Sequence, residues 1–144
     1  MLVSGSANQE HANTHTRVCV FLDMLPYFSN DAKSGSDALP EILSSTNWFV
    51  SKTKNTRKIL FSQTGWPTNS KVWKPNSPKA VASVESAKGF YQMLDGACEQ
   101  LKKITPLGGV GWYWHIWKDE MLDGWGLIDW NGNPKWQFAP RTSC

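Results

Sequence analysis

A chain of 144 residues with a net charge of +3 and 40% hydrophobic residues has the length of one ordinary domain and enough apolar content for a core. Its lysines and arginines are scattered, which argues against nucleic-acid binding, and residues 1–16 hold no apolar run long enough for a signal peptide or membrane span. A targeting segment, if the parent protein is secreted, is expected upstream. Nine tryptophans are the oddity, six of them between Trp112 and Trp136. A large ring with one N–H to satisfy marks an aromatic core or an aromatic-lined site, and for each ring singly core packing is the expectation.

The polar stretch Met1 to Thr16 has no periodicity and reads as a disordered or unrelated arm ahead of a domain at residues 17–144. His11 and His15 stand at helical spacing without a further ligand, so a solvated tail is expected and no metal site. From Arg17 to Phe28 a buried-strand pattern ends in Pro26 and aromatics, as a strand entering a loop does. After a polar loop, Leu39, Ile42, Leu43, Thr46, Phe49 and Val50 recur at helical spacing through Lys52.

Residues 53–58 lead into the apolar run Ile59-Leu60-Phe61, which stops at Gln63 before a Gly65-Trp66-Pro67 turn. This completes a strand–helix–parallel-strand unit and presents a polar side chain at the C-terminal end of a strand, where α/β folds do their chemistry. Ser77-Pro78 fits a helix start, and Val81, Val84, Ala87, Tyr91, Leu94, Cys98 and Leu101 follow the helical period to Lys103. Pro106, Gly108 and Gly109 break that helix, and residues 110–117 read as another buried strand, followed by Asp119 and Glu120. Cys19, Cys98 and Cys144 form no metal-type cluster; in a secreted protein one pair is open to bridging, Cys98 with Cys144 for instance, leaving Cys19 free or paired elsewhere.

Gln63-Thr64-Gly65-Trp66-Pro67-Thr68 resembles the Glu-Thr/Ser-Gly-Trp-Pro-Ser/Thr signature of glycoside hydrolase family seventeen, the β-1,3-glucanases and glucanosyltransferases of plants and fungi. Leu25-Pro26-Tyr27-Phe28 is similar to the motif ending the family's sixth strand, with leucine in place of histidine. The run from Trp125 to Trp136 matches its last loop almost residue for residue. The likeness extends from about Asp23 to Trp136.

The resemblance implies an α/β fold: a partial (β/α)8 TIM barrel comprising about the last three βα units, since a complete barrel takes about 250 residues. It places the family's nucleophile position at Gln63, where the family carries glutamate. Retaining glycosidases need two carboxyl groups about 5 Å apart, and an amide is a poor nucleophile, so hydrolysis should be crippled while glucan binding survives. Substrate-binding roles are implied for Tyr27, Trp66, Trp114, His115, Trp117, Asp119 and Glu120. For His115 an inward, hydrogen-bonded side chain without chemistry is the expectation.

The family's general acid, on an earlier strand, has no counterpart here. Expected of the parent protein are a β-glucan partner, no cofactor or metal, and secretion or a cell-wall location. A catalytically inactive glucan-binding protein and a non-functional fragment are the competing readings.

Overall fold

The computed structural model describes residues 19–139 and 141; the expected N-terminal arm and Cys144 lie outside these. Strand β1 (Val20–Met24) is followed by helix α1 (Leu39–Thr53) and strand β2 (Arg57–Thr64). Helices α2 (Val84–Gly96) and α3 (Cys98–Lys102) then lead to strand β3 (Leu107–Trp114). The three strands form one parallel sheet in the order β1-β2-β3. Two short parallel strands, β4 (Ile116–Lys118) and β5 (Gly126–Ile128), follow as a separate ladder.

The helices cover one face of the sheet. Ile59 and Phe61 of β2 are fully buried on that side, in one cluster with Ile42 of α1, Ala87, Phe90 and Leu94 of α2, and Leu101 of α3. Each of these side chains larger than alanine stabilises the fold by about 1.5–3 kcal/mol when removed from water. The opposite face is open, and Phe21 of β1 and Tyr113 of β3 are each 63% exposed there. Parallel strands of the doubly covered kind bury both faces; this sheet buries one.

Helix α1 matches the span read from periodicity, and Lys54 closes it in the left-handed conformation at φ 56°. The second helix starts later than Ser77-Pro78. Its cap is Ser83, whose Oγ accepts from the Ser86 N–H at 3.1 Å. Residues 77–83 are held otherwise: Ser77 closes a local turn onto Lys79 and Ala80, and Val81 donates its N–H to the Lys33 carbonyl at 3.1 Å. Tertiary bonds to that stretch outweigh its local helix signal.

Strand β3 begins at Leu107, ahead of the expected Val110, and ends at Trp114. Gly109, at φ 64°, permits the early start, because a Cβ there would come within 2.4 Å of the Lys102 backbone. Cys98 is disulfide-bonded and Cys19 is a free thiol.

Candidate functional site at the C-terminal end of the sheet

Side chains of a strand alternate between faces, so Gln63 ought to share the helix-covered side with Ile59 and Phe61. It does not, and the reason is a bulge. Leu22 pairs with Phe61, but the next residue, Asp23, pairs with Gln63, leaving Ser62 as an inserted residue. On the other side Phe61 pairs with Trp112 and Thr64 with Trp114, so Ser62 and Gln63 together face the single residue Tyr113. One extra residue reverses the phase of the alternation. Gln63 is therefore exposed and Thr64 fully buried.

Thr64 locks the reversed phase in place. Its Oγ1 donates to the Met24 carbonyl at 2.7 Å, and its own carbonyl accepts the His115 N–H at 2.7 Å. Gln63 thus projects from the mouth of the central strand, with Asp23 beside it on β1 and Tyr113 beside it on β3. His115 follows at the end of β3, half-buried, with its ring edge-on to Trp125 at a centroid distance of 6.1 Å.

Several residues expected to touch substrate are instead scaffold. Trp66 is fully buried, donates Nε1–H to the Val81 carbonyl at 2.8 Å and packs against Tyr27 and Phe90. Tyr27 is also fully buried, its hydroxyl donating to the Trp73 carbonyl at 2.7 Å, and burial raises its pKa above the usual 10.0. Trp114 donates to the Trp125 carbonyl at 2.9 Å and sits among Phe90, Tyr91 and Trp136. Neither Tyr27 nor Trp66 leaves a ring face open for a sugar.

Asp119 is buried as well. Its Oδ1 accepts from Lys135 Nζ and from the Gly126 N–H, each at 2.8 Å. Lys135 also donates to Thr68 Oγ1 at 2.8 Å, and Thr68 in turn donates its N–H to the Gly124 carbonyl at 2.7 Å. One buried ion pair thereby ties together the loop after β2, the turn after β4 and the residues after β5. Gly124, at φ 79°, allows the close approach, since a Cβ there would lie 2.8 Å from the Asn69 Cβ. The carboxylate of Asp119 is committed to this clasp.

Glu120 is exposed. Trp117, 54% exposed, lines a cavity of about 490 Å³ along β3 with Trp112, Trp114, Tyr91 and Phe138. A further cavity of about 650 Å³ lies between the loop after β1 and residues 77–79. Gln63 lines neither and stands on the open face of the sheet. The strand pairing thus sets Gln63 beside the end of β3, where the His115 N–H bonds the neighbouring Thr64 carbonyl, while Trp117 lines a groove that Tyr113 also borders and Gln63 does not. Asp23, Ser62 and Tyr113 were missed by the sequence reading; the acid at the end of an apolar strand was the available signal. Among the described residues no group of three or more His, Cys, Asp or Glu side chains is placed to hold a metal ion.

No protein-family model matches the chain, and no curated protein matches it in sequence. Solved structures do resemble its fold. A glycoside hydrolase family 17 β-1,3-glucanosyltransferase from Rhizomucor miehei superposes with a TM-score of 0.55 at 17% identity, over 81% of this chain and 40% of that one. An active-site mutant of the Rhizomucor miehei β-1,3-glucanosyltransferase, solved in complex with laminaritriose, gives 0.57 at 17% identity, over 88% and 44%. The chain therefore spans less than half the length of these solved chains and shares the fold of the part it covers.

Proposed function

We propose that this chain is a C-terminal portion of a glycoside hydrolase family 17 type (β/α)8 barrel, its three sheet strands corresponding to the last three of the barrel. In this reading Gln63 occupies the nucleophile position and the open end of the sheet binds β-1,3-glucan. The observation that carries it is the exposed Gln63 amide at the mouth of the central strand, beside the end of β3, in a fold shared with glucanosyltransferases of which one was solved with laminaritriose.

The chemistry follows from the side chains. An amide offers two N–H donors and one carbonyl acceptor, which suit sugar hydroxyls. It cannot supply the ionised carboxylate that attacks an anomeric carbon or balances an oxocarbenium-like charge. Tyr113, with its ring exposed in the same row, offers a face on which a pyranose can stack. Asp23, Ser62, His115 and Glu120 are further polar groups at the strand ends, while Tyr27, Trp66, Trp114 and Asp119 hold the surrounding scaffold. The bonded Cys98 supports an oxidising compartment, in line with a secreted or wall-associated parent protein.

Calorimetry with laminaritriose and a reducing-end assay on laminarin test the reading together. Saturable binding with no release of reducing ends is the expected pair of results. Release by the unmodified chain at rates typical of a glycosidase would show that position 63 is not the nucleophile position.

A further inference from the structure

The carboxylate missing at position 63 has a neighbour that does carry charge. Asp23 is the strand partner of Gln63 on the adjacent strand and is exposed like it, at the rim of a cavity of about 450 Å³ that Ser44, Ser45, Trp48 and Phe49 also line; neighbouring strands lie about 4.8 Å apart. Ser62 Oγ donates to Asp23 Oδ1 at 3.0 Å, and so the residue inserted by the bulge fixes the orientation of the carboxylate. No cation is paired with Asp23 among the described residues, and its Oδ2 has no hydrogen-bond partner among them. Across the three strands the row reads carboxylate, amide, phenol: Asp23, Gln63, Tyr113.

We infer that Asp23 supplies the negative charge beside Gln63 and is the residue that receives the hydroxyls of a bound β-glucan, with Ser62 as its positioning residue. The inference rests on the glucan reading above. A carboxylate accepts hydrogen bonds only, and charge-assisted bonds are about twice as strong as neutral ones. The free Oδ2 accepts a sugar hydroxyl, the Gln63 amide donates to a neighbouring oxygen, and the Tyr113 ring stacks on the sugar's apolar face. The charge sits one strand over from the place where a retaining nucleophile would stand.

Two measurements on the whole chain test this. The first needs no sugar: in a Gln63→Glu variant with ¹³C-labelled carboxyl groups, repulsion from Asp23 should raise the titration of the introduced carboxyl above its value in the Asp23→Asn/Gln63→Glu double variant. Identical titrations in the two would overturn the inference. The second is laminaritriose binding, in which Asp23→Asn should weaken affinity about tenfold or more, Gln63→Ala only several-fold, and Ser62→Ala by an intermediate amount. Unchanged affinity in Asp23→Asn would also overturn it. Absence of binding by the unmodified chain would instead remove the glucan reading, while the titration still decides whether Asp23 and position 63 share one field.

Discussion

Replacing Lys135 by Met removes the cation from a closed ion pair. Both side chains of the Lys135–Asp119 pair are 7% exposed, and the N···O distance is 2.8 Å. Methionine matches the length of the lysine stem, so packing is largely kept while the Asp119 charge loses its counter-ion and Thr68 Oγ1 loses a donor. Among the described residues Asp119 then keeps only the Gly126 N–H as partner. Stranding one member of a buried pair costs about 3–5 kcal/mol, because the charge is left desolvated without compensation.

Set against a typical total of about 5–15 kcal/mol, that is a large share of the stability. The melting temperature should fall by roughly 10–20 °C at this chain length. Urea unfolding followed by tryptophan fluorescence measures the loss. A double variant, Asp119→Leu/Lys135→Met, should recover much of it by removing the orphaned charge. A loss below about 1 kcal/mol in Lys135→Met would mean that the pair is hydrated and that the three loops are held by something else.

Tyr27→Phe should cost about 1 kcal/mol in urea unfolding, since its hydroxyl donates to the Trp73 carbonyl, whereas Tyr91→Phe should be neutral or stabilising, its buried hydroxyl having no partner among the described residues. Burial raises the pKa of both phenols above 10.0, with Asp95 adding to the rise at Tyr91. The folded state therefore keeps protons that the unfolded chain releases: stability is full below about pH 10 and declines as pH rises through the folded values. The decline should be shallower in Tyr91→Phe, which a pH series of melting curves measures. Gly124→Ala should cost about 1–3 kcal/mol by calorimetry, because it forces a side chain into a left-handed backbone pressed against Asn69.

Much of this architecture was legible because its signals are local. The period of Ile42, Leu43, Thr46 and Phe49 gave α1, and an apolar run closed by Gly65-Trp66-Pro67 gave β2 and its end. The helix after β2 starts at the Ser83 cap and not at the locally suitable Ser77-Pro78 because a pair of long-range bonds to Val81 holds the intervening residues out of the helix. Trp66 and Asp119 lie within or beside motifs that suggest substrate contact, yet whether an indole or a carboxylate faces inward depends on Val81 and Lys135, far along the chain.

The orientation of Gln63 was the least readable feature. Strict alternation from Phe61 assigns it to the covered face, and only a bulge visible in the pairing with the two flanking strands restores it to the open one. The same bulge brings Ser62 to Asp23, a contact across 39 residues that no motif announces.

The most direct test of the central claim follows the side-chain amide of Gln63 in ¹H–¹⁵N spectra while laminaritriose is added. Saturable shifts of that NH₂ pair together with the backbone signals of Asp23 and Ser62 are expected. Shifts confined to the Trp117 groove or to the cavity beside residues 77–79, with Gln63 unmoved at saturation, would contradict that claim.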